Sequence, residues 1–131
     1  MAPQTMIKLL TRPGIVPVIR LESGDKLPEL LEALRRGGIR AAELTMTMPN
    51  APALLRENRA RFGNSLAIGM GTVTNRQAAL TALAAGAQFL VSPFPVFEAL
   101  EEAKKHGVPM ITGAFSPQEV FFAHRLGADF V

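Results

Sequence analysis

Cysteine, tryptophan and tyrosine are absent from the 131 residues, and histidine occurs only twice. Without cysteine there is no disulfide framework, no thiolate nucleophile and no cysteine-ligated metal, and nothing points to secretion into an oxidising compartment. Without tryptophan or tyrosine the chain lacks the aromatic platforms best suited to stacking nucleic-acid bases. Excess charge of one sign is scarce too. Fourteen Lys and Arg against eleven Asp and Glu leave +3, and the sequence pI of 10.0 overstates that imbalance because no Tyr or Cys titrates between neutrality and lysine. The basic residues are scattered apart from pairs such as Arg35 with Arg36 and Lys104 with Lys105, so no nucleic-acid partner is expected. No apolar run approaches the ~18 residues of a membrane span, because Gly, Pro or charge interrupts every one. No membrane partner is expected either. The opening stretch carries Lys8 and Arg12 around a short apolar cluster, with no small-residue cleavage pattern after it, and is expected to be a helix and not a signal. A soluble, cytoplasmic protein is the expectation.

What the chain does have is 48% apolar residues, enough for one core and one domain over 1–131. It also has a recurring punctuation: a helical segment ends at a glycine and a short apolar run follows at once. Gly38, Gly63, Gly86, Gly107 and Gly127 each stand in this place. Glycine suits the residue after a helix because it adopts positive φ without strain, and a spacing of roughly 20 to 25 residues matches one strand plus one helix. Helical periodicity agrees, with Leu27, Leu30, Leu31 and Leu34 on one face and Val96, Ala99, Leu100 and Ala103 on another. Ser116, Pro117 and Glu119 form a capping box with first-turn proline, and Thr74 with Gln77 repeats the box more weakly. The runs Ile15–Ile19, Ile39–Met46, Leu66–Gly71, Gln88–Ser92, Pro109–Thr112 and Ala128–Val131 have the short, apolar character of buried parallel strands.

Repeated βα units allow a closed barrel, an open doubly wound sheet or a leucine-rich horseshoe. No Leu-x-x-Leu-x-Leu motif recurs, and no Gly-x-Gly-x-x-Gly turn follows the first strand. The expected class is therefore α/β of the (β/α)8 TIM-barrel type. It is incomplete, with about six strands and five to six helices where a closed barrel needs eight of each and about 200 residues. The last strand stops almost as it begins, an exposed edge that invites pairing, and truncation is the expectation.

Three stretches then carry a resemblance. They are Val16-Pro17-Val18-Ile19-Arg20, Ala42-Glu43-Leu44-Thr45-Met46-Thr47-Met48-Pro49 and Ile68-Gly69-Met70-Gly71-Thr72-Val73, supported by Gly86-Ala87-Gln88-Phe89, Val91-Ser92-Pro93, Gly113 before Ser116, and Gly127-Ala128. In order and spacing the set resembles the 2-keto-3-deoxy-6-phosphogluconate (KDPG) and 2-keto-4-hydroxyglutarate aldolase family. The resemblance implies a class I aldolase without cofactor or metal, often trimeric, in which a lysine on the sixth strand forms an imine with a keto acid substrate. Carbon–carbon cleavage then yields pyruvate and an aldehyde, with a glutamate shuttling protons.

Glu43 matches that glutamate. Strand alternation puts Ile39, Ala41, Glu43 and Thr45 on one face and Arg40, Ala42 and Leu44 on the other. If Ala42 and Leu44 pack under helices, Glu43 points into the barrel, where a carboxyl is costly to ionise. The alternative is a rim salt bridge with Arg20 or Arg40. Arg20, at the carboxyl end of the first strand, matches a residue holding the substrate's anionic end, or is simply solvent-facing. Thr72 matches a pocket threonine, or shares a helix cap with Thr74. Pro93 matches the proline of a fourth-strand Ser-Pro motif, or merely ends the strand. At Thr47 many members carry an arginine that contacts the substrate carboxylate. The family's lysine lies beyond the stretch matching Asp129-Phe130-Val131, while Lys8, Lys26, Lys104 and Lys105 have the pattern of solvated helical residues. The chain alone is expected to be inactive. Two other readings remain: a noncatalytic half-barrel that self-associates, and a phosphosugar isomerase or synthase using Glu43 as base without an imine. His106 and His124 have no metal-ligand spacing around them and suit helix ends, and Phe121 and Phe122 are assigned no chemistry.

Overall fold

The computed structural model describes residues 3–131. Among these described residues six helices alternate with five strands. The helices are α1 (Pro3–Thr11), α2 (Leu27–Arg36), α3 (Ala51–Phe62), α4 (Arg76–Ala84), α5 (Phe97–Lys105) and α6 (Pro117–Leu126). The strands are β1 (Val18–Ile19), β2 (Ala41–Thr45), β3 (Ala67–Gly71), β4 (Leu90–Ser92) and β5 (Met110–Thr112). All pairings are parallel and the spatial order is β1-β2-β3-β4-β5, the same as the order along the chain. A doubly wound sheet reverses direction at its switch point. This sheet never reverses, so its winding is that of a barrel.

The two faces of the sheet bury different layers. Ala42, Leu44, Ile68, Met70, Leu90 and Met110 face outward and pack with Leu27 and Leu31 of α2, Leu55 of α3, Ala82 of α4 and Leu100 of α5. The opposite face carries a smaller cluster, in which Met6 and Leu10 of α1 meet Ala41, Ala67 and Phe89. α1 therefore plugs the inner face at the amino ends of the strands. All five punctuating glycines have positive φ, from 55° at Gly63 to 91° at Gly86, as their place after each helix requires.

Several strands are shorter than expected, for local reasons. β1 starts at Val18 because Pro17 has no N–H to donate, although its carbonyl still accepts from Glu43 N at 2.9 Å. Ile39 precedes β2 and packs with the outer cluster, not on the Glu43 face. Gln88 accepts from Ile68 N through its side-chain oxygen at 2.9 Å, replacing a ladder bond before β4. At the sixth run Asp129 Oδ2 takes Met110 N–H at 2.9 Å, and only a single bridge, Ile111 to Phe130, remains of the expected strand.

Helix starts divide in the same way. Ser116 Oγ accepts from Glu119 N at 3.2 Å, and Glu119 Oε2 accepts from Phe115 N at 2.7 Å, so the capping box forms. At α4 the cap is Asn75, accepting from Ala78 N at 2.8 Å, and the Thr74–Gln77 box does not form. Ser116→Ala should cost ~1 kcal/mol of stability, read as a lower urea midpoint with unchanged slope. An unchanged midpoint would mean that the box does not hold α6. Arg76 of α4 joins α5 through ion pairs to Glu101 and Glu102, fixing the neighbouring outer helices together.

Candidate active site

Side-chain alternation along the strands sets which groups meet on the inner face. In β2 the inward residues are Ala41, Glu43 and Thr45, and the parallel register places Glu43 beside Val18 of β1 and Gly69 of β3. Ala41 belongs to the apolar plug below. Glu43, one step further along, stands above that plug and is only 6% exposed. No ion pair joins it to Arg20 or Arg40 among the described residues. Burial pushes its carboxyl up to about 7, against the smaller downward pull of the Arg20 charge. At neutral pH the group is then divided between acid and conjugate base, as a proton shuttle requires.

The other groups collect at the carboxyl ends of successive strands. Arg20 follows β1 directly and is exposed. Its register position is level with Thr45, which is 1% exposed. The Thr45 hydroxyl donates to Ile19 O at 3.5 Å and lies 3.0 Å from the hydroxyl of Thr47. Thr47 itself is exposed just past β2. Thr72 follows β3 and is half-buried with φ 60°. A β-branched residue in the left-handed region is strained, and such strain clusters where backbone geometry serves a site. Because Asn75 caps α4, the alternative of Thr72 sharing a helix cap with Thr74 falls away. Pro93 follows β4, exposed, with its carbonyl pressed against Gly113 after β5.

Arg20, Thr47, Thr72 and Pro93 thus lie past the carboxyl ends of β1 to β4, and Glu43, in the middle of β2, leans its carboxyl toward that edge beside Gly71. Two neighbours were not singled out. Thr45 shares Glu43's parity and could have been found from it. Gly71, whose missing side chain makes room for Glu43, could not, because the contact depends on a diagonal between strands. The remaining titratable candidates lie elsewhere. His106 ends α5, with Nδ1 2.8 Å from Glu102 O, and His124 is exposed in the last turn of α6. Lys8, Lys26, Lys104 and Lys105 are all exposed, Lys105 paired with Glu102 at 2.9 Å and Lys104 donating to Leu126 O at 2.6 Å. Among the described residues no three His, Asp or Glu side chains are grouped to hold a metal ion, and no helix is long and apolar enough to cross a membrane.

A family model, KDPG and KHG aldolase, matches residues 6–131. The chain belongs to the KDPG and KHG aldolase family. It is 35% identical to the 2-dehydro-3-deoxy-phosphogluconate aldolase of Treponema pallidum over 127 residues, which cover 97% of this chain and 60% of that protein. To the KHG/KDPG aldolase of Escherichia coli K12 it is 30% identical, covering 93% of this chain and 55% of the relative. Among solved structures, the 4-hydroxy-2-oxoglutarate/2-dehydro-3-deoxyphosphogluconate aldolase from TTHB1 superposes with a TM-score of 0.84 at 33% identity, over 98% of this chain and 61% of its own. The Legionella pneumophila KDPG aldolase, solved with pyruvate captured as a covalent carbinolamine, superposes with a TM-score of 0.78 at 35% identity, over 87% and 55%. The chain thus spans little more than half the length of these KDPG aldolase relatives, and the incomplete barrel winding corresponds to that part of their fold.

Proposed function

We propose that this chain supplies the proton-transferring part of a class I aldolase. The reaction is cleavage of 2-keto-3-deoxy-6-phosphogluconate, or of 4-hydroxy-2-oxoglutarate, to pyruvate and an aldehyde through a lysine imine. The single observation that carries the reading is Glu43, a nearly buried carboxyl held near neutrality at the carboxyl edge of a parallel sheet, where barrel enzymes gather their active residues. Membership in the aldolase family supports the reaction class.

The chemistry needs one group that both gives and takes a proton. Attack of a lysine amine on the keto carbon gives a carbinolamine, whose hydroxyl must be protonated to leave as water. Cleavage then requires a proton to be taken from the substrate's C4 hydroxyl, while the C3–C4 electrons move into the imine and form an enamine. Reprotonation at C3 and hydrolysis release pyruvate. Glu43 serves these steps in turn as acid and base. Arg20 offers its charge to the substrate's anionic end, Thr47 and Thr72 offer hydroxyls, and Pro93 borders the site.

None of the chain's lysines lies on the sheet's inner face, so the reading requires a lysine outside these 131 residues, and the chain alone is without aldol activity. A cytoplasmic homo-oligomer, a trimer as the resemblance implies, working in the Entner–Doudoroff route of sugar-acid breakdown completes the proposal. The test is borohydride trapping with pyruvate, read by intact mass, on this chain and on a version extended with the corresponding remaining segment of a relative. A pyruvate-sized adduct on the extended version alone is expected. An adduct on neither would sink the imine reading and favour an isomerase or a noncatalytic scaffold. An adduct on the short chain would show that one of its exposed lysines is competent.

A further inference from the structure

Two glycines on the inner face of β3 receive side chains from the strands on either side. A Cβ added at Gly69 would overlap the Phe89 ring, so the space across β3 at Glu43's own level is already filled. Glu43 therefore cannot lie straight across. It reaches one pleat further along, to Gly71, where an added Cβ would overlap its Oε1 and Cδ and stand 2.8 Å from Cγ. The three nearest atoms to that position all belong to Glu43. Below the carboxyl lies Phe89, fully buried in the apolar plug with Met6 and Leu10. Beyond it the chain turns at once through Thr72.

We propose that Gly71 is a positioning residue for Glu43: the volume left by its missing side chain is the seat the carboxyl occupies, and that seat holds the carboxyl against the dry layer while aiming it along the carboxyl edge of the sheet. Gly71 is not one of the positive-φ glycines, so alanine is compatible with its backbone and the obstacle to alanine is Glu43 itself. The functional meaning of the seat rests on the aldolase reading, but its existence does not.

The experiment is a carboxyl-carbon NMR titration of the 131-residue chain labelled at glutamate, with Gly71→Ala compared against the unmodified protein and Glu43 assigned by Glu43→Gln. The midpoint of Glu43 should fall from about 7 into the ordinary glutamate range near 4.5 as the new methyl expels the carboxyl toward solvent. An unchanged midpoint overturns the proposal. Should Gly71→Ala fold too poorly to titrate, thermal unfolding in two backgrounds decides. Alanine at 71 should lower the midpoint when Glu43 is present and be tolerated in Glu43→Ala, where the methyl enters vacated space. An equal loss in both backgrounds overturns the seat. Neither readout involves an imine, so a failed trapping experiment leaves the seat standing, and a failed titration leaves the imine chemistry untouched.

Discussion

Glu43→Gln, made in a version of the protein that also carries the imine-forming lysine, is expected to lower aldol turnover by roughly 10²- to 10⁴-fold, the usual contribution of a positioned acid–base group. Glutamine has nearly the same shape and fills the same space against Gly71, so packing is preserved while proton transfer is lost. The loss should fall on kcat more than on KM, because the amide removes an interaction made while protons move and not one that merely holds substrate. The pH profile gives a sharper test. The limb near neutrality that reports a group titrating at about 7 should disappear in the variant. Continuous measurement of pyruvate release between pH 5 and 9 checks both points, and turnover within a few-fold of the unmodified protein would assign the proton shuttle to another residue.

The same carboxyl makes stability depend on pH in a sense opposite to that of most acidic residues. Between 4.5, the ordinary glutamate value, and about 7, the folded chain keeps a proton on Glu43 that the unfolded chain has already released. The unfolded state therefore binds fewer protons over that window, and stability falls as pH rises through it. The contribution is fully present below 4.5, is lost by somewhat above 7, and amounts to about 3 kcal/mol across the window. Glu32 acts in the ordinary sense and elsewhere. Hydrogen bonding from Arg35 holds it at about 2, so its contribution is present above 4.5 and is lost as pH falls below that value. Urea denaturation at pH 4.5 and pH 8 should show Glu43→Gln more stable than the unmodified chain at pH 8, with the gap largely closed at pH 4.5. A pH-independent difference would mean that the carboxyl is solvated in the folded state.

How much of this was legible in advance depended on the range of the interaction. The five glycines after helices, the Ser116–Glu119 box and the alternation of β2 are set by neighbours a few residues apart, and each is found in the structure. Arg20, Thr47, Thr72 and Pro93 share an edge because each sits just after a strand, a consequence of strand assignment alone. Competition between nearby side chains was harder to read. Asn75, one residue past Thr74, captured the cap of α4, and Asp129 took with its carboxylate the N–H that a sixth strand would have used. Placement across the sheet was not readable. That the first helix enters the inner face, and that Glu43 leans onto Gly71 because Phe89 fills Gly69, both depend on register between segments 20 or more residues apart.

The sequential order of the strands has a bearing on how the chain comes into being. Val18 pairs with Glu43, Ala41 with Ala67 and Leu90 with Met110, so each pairing closes a loop of similar, modest length and none waits for a distant segment. Loop-closure entropy is then met in small equal steps, and contact order stays low for a parallel sheet. On the ribosome, where residues emerge at about 5–20 per second, each strand therefore follows its own sheet neighbour out of the exit.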